Sequence, residues 1–131
     1  ALFMIFLDFE KIEIINDGIN AFTSLGSKYR TSDWQTKLNT LTTTRNNLAQ
    51  GQVNNIFNPA NQRTNFNDID SIKKAIQQLE QITANYYSGF NNFRLNKLNL
   101  LKRKINQIIQ NEVNRLTQDI QNSNDVNTIK N

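Results

Sequence analysis

Residues 69–120 read IDSIKKAIQQLEQITANYYSGFNNFRLNKLNLLKRKINQIIQNEVNRLTQDI, and this stretch decides the fold. Its apolar side chains recur at steps of three and four: Ile69, Ile72, Ile76, Leu79, Tyr86, Phe90, Phe93, Leu98, Leu101, Ile105, Ile108, Ile109, Val113, Leu116 and Ile120. This spacing puts them on one stripe of a helix, whereas a half-buried strand would alternate every second residue. The stretch therefore predicts helices with a buried apolar face.

One interruption divides this stripe, the sequence YSGFNN at residues 87–92. Glycine at a helix end adopts the left-handed conformation without a Cβ penalty, and asparagine is the next best residue there. We therefore predict a long C-terminal helical hairpin with arms near residues 68–87 and 92–122. The alternative is one continuous rod that dimerises through the stripe, because a glycine inside a helix costs only about 1 kcal/mol.

Helical spacing also runs through the first part of the chain, where Ile12, Ile15, Ile19 and Phe22 follow one another. This pattern predicts a helix over residues 3–25. The alternative is a β-hairpin, because Ile12 and Ile14 alternate with Glu13 ahead of the turn-forming sequence NDG at residues 16–18.

A second helix is predicted from a capping box formed by Ser32 and Gln35 to the sequence NPAN at residues 58–61, where proline removes a donor. Arg45 falls on the apolar face of this helix. A long side chain whose stem passes the apolar stripe is the favoured interpretation, and a buried ion pair or ligand contact is the alternative. Asp68 is a candidate N-cap for the third helix.

Together these patterns predict an all-α, up-down bundle of about four helices over residues 1–122, followed by a polar tail at residues 123–131. A chain of 131 residues is long enough to bury a sizeable core as one domain. The predicted core consists of Leu98, Leu101, Ile105, Ile108, Leu116, Ile72, Ile76, Leu79, Trp34, Leu38 and Leu41.

The composition removes several classes of function. This sequence has no cysteine and no histidine, so it lacks thiolate chemistry, a Ser-His-Asp arrangement and the usual zinc or copper ligands. It contains no glycine-rich phosphate loop and no dinucleotide motif. We therefore expect no enzymatic activity, no cofactor and no metal.

The charge of the chain is unevenly distributed around a net value of +4. Residues 81–111 contain no acid, and the cations there are candidate partner-binding residues: Arg94, Lys97, Lys102, Arg103 and Lys104. On a helix they bracket the apolar stripe, which is typical of side chains at the edge of a bundle core. Because the first helix is acidic, we predict that helices 1 and 4 are neighbours with opposite charge.

The N-terminal apolar run and the aromatic residues near the predicted break are two further candidate binding surfaces. Residues 1–9, ALFMIFLDF, are too short to span a bilayer and lack the basic start of a secretory signal. Burial of this run against the chain's own core is the favoured interpretation, and the alternative makes Phe3 and Phe6 candidate contacts for a protein partner or a membrane surface. The aromatic residues near the predicted break could form a binding patch, although a cap on the bundle core is favoured: Tyr86, Tyr87, Phe90 and Phe93.

The sequence thus predicts a non-catalytic helical protein that binds a protein partner or associates with itself. Nucleic-acid binding or peripheral membrane association through the basic helix at residues 94–104 is the alternative.

Overall fold

The structure is a computed structural model that describes the backbone of residues 2–122 and the side chains of residues 9–122. Within these residues the chain forms four α-helices and no strand: α1 (Leu2–Gly26), α2 (Trp34–Asn61), α3 (Ile69–Glu80) and α4 (Phe90–Asn122). A 3-10 turn, Phe66–Asp68, leads into α3. The predicted all-α bundle is confirmed. The predicted polar tail lies outside the described residues.

The helix α1 confirms the prediction for residues 3–25, and the β-hairpin alternative is wrong. Ile12 is fully buried, and Ile15 and Ile19 are partly buried on the same side of the helix. Burial of this face outweighs the turn tendency at residues 16–18, because tertiary packing overrides weak local preferences. Gly18 consequently sits inside the helix.

The helix α2 starts at Trp34 without the predicted capping box. The N-cap residue is Asp33, which accepts a hydrogen bond from the Thr31 hydroxyl at 2.7 Å and lies 3.0 Å from the Lys37 ammonium. The Thr31 bond, followed by Lys37, lowers the pKa of Asp33. The Gln35 amide instead donates to Asn39 within α2. The helix ends at Asn61, within the predicted stop.

Two side-chain hydrogen bonds show that α1 and α2 run antiparallel. Trp34 Nε1 donates to the Phe22 carbonyl oxygen at 2.9 Å, and further along α2 the Arg45 Nη1 donates to Asn16 Oδ1 at 3.0 Å. Arg45 is half-buried and forms no ion pair with the described carboxylates. Its guanidinium therefore links α1 to α2, and the ion pair considered from the sequence is not observed.

The prediction that helices 1 and 4 are neighbours is wrong. Among the described residues each helix packs against the next one in the chain and α4 also packs against α2, whereas the backbones of α1 and α4 do not approach each other. Surface charges contribute little to helix pairing compared with apolar burial, so they do not select neighbours. α1 is joined to α2 by a short turn and reaches the α3–α4 connection instead, where the rings of Phe9 and Tyr86 lie 6.1 Å apart.

The C-terminal hairpin is confirmed, and the continuous rod is wrong. Its first arm, α3, ends at Glu80 rather than near residue 87, and residues 81–89 form a non-helical connection. Ile82 and Tyr86 in this connection are buried in the core. The chain therefore keeps these apolar side chains buried although the helix has ended. Gly89 has φ +97°, a left-handed conformation that favours glycine, immediately before α4 begins.

The core lies where the second half of α2, α3 and the first half of α4 meet, and Ile12 of α1 is buried in the same cluster. Seven residues of the predicted core are buried there: Ile72, Ile76, Leu79, Leu98, Leu101, Ile105 and Ile108. Trp34 is buried at the other end of α2 beside α1, and Leu38 and Leu41 are only partly buried. Leu116 was placed in the core wrongly, since 47% of its surface is exposed.

Alanine substitutions at two glycines should have opposite effects on stability, because the two residues differ in backbone conformation. A Cβ added at Gly51, in the middle of α2, would meet no atom within 4 Å. Gly51→Ala should therefore raise the free energy of unfolding by about 0.5–1 kcal/mol, measured as an increase of a few degrees in the thermal midpoint. Gly89→Ala should lower it by about 1–2 kcal/mol because of the left-handed φ. A lower midpoint for Gly51→Ala would contradict this account of α2.

Candidate interaction surface

The N-terminal candidates Phe3 and Phe6 lie on the helical backbone of α1. Their side chains fall outside the described residues. Their contacts with a protein or a membrane surface therefore remain a prediction from the sequence.

Two of the candidate basic residues contact neighbouring helices of the same chain. Arg94 Nη1 donates to the Leu79 carbonyl oxygen at 3.0 Å, which satisfies an acceptor in the last turn of α3. The Lys97 ammonium lies 4.7 Å from the ring centroid of Phe57 on α2 and 5.4 Å from that of Phe93. Both side chains therefore fasten α4 to its neighbours.

The other three basic candidates stay at the surface without converging. Lys102 and Arg103 are exposed and Lys104 is partly buried, and none lies within 4.0 Å of a carboxylate among residues 9–122. Consecutive helical residues are about 100° apart, so these three side chains point in different directions. The arrangement does not resemble the single cationic face of a nucleic-acid groove.

The aromatic residues near the break close one end of the core, which confirms the favoured interpretation. The rings of Tyr86 and Phe90 meet edge to face at a centroid distance of 4.9 Å, and the Tyr87 and Phe90 centroids are 5.6 Å apart. The Tyr87 hydroxyl accepts a hydrogen bond from Gln50 Nε2 at 2.9 Å. Tyr86 and Phe90 are buried, so they offer no exposed stacking surface.

The most distinctive surface is the end of α4, residues 109–122, which we call the α4 extension. The last core residue is Ile108, and no residue of the α4 extension is buried. The extension still carries four large apolar side chains, between 41% and 62% exposed, which we call the α4 stripe: Ile109, Val113, Leu116 and Ile120. Steps of four, three and four residues align them along roughly 17 Å of one helix face.

The α4 extension exists because α4 is much longer than the helix it folds back on. α3 has 12 residues and α4 has 33, which correspond to roughly 18 Å and 50 Å. α3 therefore reaches only the first half of α4. The prediction of one buried stripe over residues 98–120 is therefore wrong for its last part. The unequal lengths of the two predicted arms were the sequence signal that the end of the longer arm has no opposing helix.

The charged side chains of the α4 extension pair with one another. Arg115 donates to both Glu112 and Asp119, the latter at 2.8 Å. The bond from Arg115 holds the pKa of Glu112 below its usual range and raises the pKa of Arg115. The remaining polar residues of this segment are uncharged: Gln110, Asn111, Asn114, Thr117, Gln118, Gln121 and Asn122.

Sites for small-molecule chemistry are less well supported in the described part of the chain. Residues 9–122 contain no group of three or more carboxylates that could hold a metal ion. A shallow, open depression on α2 is lined by hydroxyl and amide groups: Thr36, Asn39, Thr40, Thr43 and Thr44. The Thr40 and Thr44 hydroxyls donate to the carbonyl oxygens four residues earlier in the same helix. These threonines are therefore bonded to their own helix rather than arranged around a ligand.

Comparisons with known proteins add no further assignment. No protein-family model matches the chain, and no curated protein or solved structure is significantly similar to it. Among the described residues, none of the helices combines the length and apolar content needed to cross a bilayer.

Proposed function

We propose that this chain is a non-catalytic helical protein that acts by binding another polypeptide, as an interaction module or as a subunit of an assembly. The α4 stripe is the observation that carries the proposal. It presents four apolar side chains on a helix that leaves the core, at the spacing by which one helix packs against another.

The energetics of an unsupported helix favour a partner. A helical segment of about 14 residues is only marginally stable in water on its own, because most helical stability in proteins comes from packing of an apolar face. Covering Ile109, Val113, Leu116 and Ile120 would remove their exposed apolar area from water, at about 25 cal/mol for each Å². Binding would thus stabilise both the partner contact and the α4 extension.

The polar side of the helix favours a protein over a membrane or a nucleic acid. Helices that lie on anionic membranes usually carry many lysines and arginines opposite their apolar face. The α4 extension has one arginine there, compensated by Glu112 and Asp119. Nucleic-acid binding through Arg94–Lys104 is not favoured, because Arg94 and Lys97 serve the fold and the remaining cations diverge.

Photo-cross-linking tests this proposal. A photoreactive phenylalanine analogue is placed at Leu116 on the α4 stripe, and a matched control carries it at Gln118, about 200° away around the same helix. Irradiation in an extract of the cells that make the protein should give defined adducts from position 116 and far fewer from position 118. Equal labelling at both positions, or no adduct at position 116, would contradict the proposal. Because both residues are exposed, neither variant should lose its helical circular dichroism.

A further inference from the structure

We infer that the partner covering the α4 stripe is a second copy of this chain, and that two α4 extensions pair in parallel as a short two-stranded coiled coil. This inference rests on the proposed function and specifies the partner.

The residue types along the stripe favour two parallel strands. In heptad terms Val113 and Ile120 occupy position a, while Ile109 and Leu116 occupy position d. β-branched residues at a with Leu at d favour a parallel dimer. Both a residues here are β-branched, and the heptad from Val113 has Leu116 at d, while the d position before it is Ile109. One step earlier the a position is Asn106, an exposed residue, and a single asparagine at a is a common determinant of register in such dimers.

The flanking charges distinguish the two possible orientations. Glu112 and Asp119 occupy g positions beside the seam, and the e positions are the uncharged Gln110 and Thr117. In a parallel pair each g residue lies beside an e residue of the other strand, so no carboxylate meets another. In an antiparallel pair g faces g, which brings Glu112 toward Asp119 of the other copy. Arg115 pairs with both carboxylates within each chain and weakens this repulsion, so the charges add only a small preference for the parallel pair.

The α4 stripe is accessible to a second copy, and the sequence before it sets where pairing starts. The α4 stripe continues the core-facing side of α4, because Leu116 comes about five helical turns after the buried Leu98 and so points in the same direction. A second α4 extension has access to the stripe because the buried residues of α4 end at Ile108 and residues 109–122 are not covered by the described part of the chain. The d position before Asn106 is Lys102, and two facing ammonium groups would repel, so pairing begins at Asn106.

Two heptads form a small interface, well below the roughly 1,600 Å² of a typical stable complex. The dimer is therefore weak, and its fraction rises with protein concentration. A method that traps transient dimers is the appropriate test.

Cysteine trapping suits this chain because it contains no native cysteine. Two Cβ atoms at a paired d position come close enough to form a disulfide, whereas outward-facing positions do not. Under mild oxidation Leu116→Cys should give a disulfide-linked dimer, and the matched control Gln118→Cys should stay at least tenfold less cross-linked. A second experiment detects the antiparallel arrangement, in which residue 113 of one copy lies beside residue 116 of the other. Val113→Cys, carrying a size tag, is mixed with Leu116→Cys and oxidised. An antiparallel pair would give more disulfide-linked heterodimer than either homodimer.

The outcomes separate this inference from the proposed function. Preferential linkage at position 116, together with light scattering that shows mass rising with concentration, supports the parallel dimer. Excess linkage between 113 and 116 overturns the parallel arrangement. A monomer at all concentrations with no linkage overturns the second copy, while photo-adducts of another mass from position 116 would leave the proposed function standing. Absence of both dimer and adducts removes the two together.

Discussion

Replacing Phe90 with alanine is expected to lower the free energy of unfolding by about 3–5 kcal/mol. Phe90 is fully buried, begins α4 and contacts the rings of both Tyr86 and Tyr87. Truncation would remove the ring from the point where α4, the connection from α3 and the end of the core meet. Because domains of this size are stable by only about 5–15 kcal/mol, the variant should unfold at much lower denaturant concentration.

Urea denaturation followed by circular dichroism at the helical band measures this loss. The matched control is Phe66→Ala in the turn before α3, where the ring is 50% exposed. This control should cost less than about 1 kcal/mol, as is usual for surface positions. Similar midpoints for the two variants would contradict the burial of Phe90 at the end of the core.

Gly26→Ala should produce the second large effect, a loss of about 2–4 kcal/mol. The added Cβ would overlap the indole ring of Trp34. That ring cannot move aside freely, since its Nε1 donates to the Phe22 carbonyl oxygen and the Arg30 guanidinium lies 4.5 Å from its centroid. Relief of the overlap would cost the hydrogen bond and part of the buried area of the indole.

A double-mutant cycle isolates the overlap. In a Trp34→Ala background, Gly26→Ala should be neutral or slightly stabilising, because alanine is a better helix former than glycine. Gly18→Ala is the matched control in α1, where the nearest atom, Leu41 Cδ1, would lie at an ordinary contact distance of 3.9 Å. Equal losses for Gly26→Ala in the two backgrounds would show that Trp34 is not the cause. Thermal denaturation of the four proteins provides the measurement.

The apolar periodicity correctly predicted the helical class, the first helix and the C-terminal hairpin. These features depend on spacing along the chain, since residues three and four apart share a helix face wherever the helix packs. Glycine chemistry similarly predicted the break, and Gly89 has the left-handed conformation expected there. The exact end of α3 was not predictable, because Ile82 and Tyr86 are buried without being helical.

The roles of the charged candidates depended on neighbours that the sequence does not identify. Arg94 and Lys97 belong to the basic run, yet they bind a carbonyl of α3 and an aromatic ring of α2. The opposite charges of helices 1 and 4 suggested a contact that does not form among the described residues. Exposed charges contribute only about 0–1 kcal/mol to a contact, whereas helix neighbours are chosen by larger apolar terms.

By itself the sequence determined that α4 carries apolar residues at helical spacing from Leu98 to Ile120. Only the tertiary structure decided which part of that pattern is core and which part is surface. Leu101 and Leu116 follow the same local rule, yet Leu101 is fully buried and Leu116 is about half exposed. The physical reason is that burial requires an opposing side chain. α3 has 12 residues and cannot reach the end of a 33-residue helix, and the α4 residues in the core shared with α2 and α3 end at Ile108, so the last turns of α4 remain uncovered.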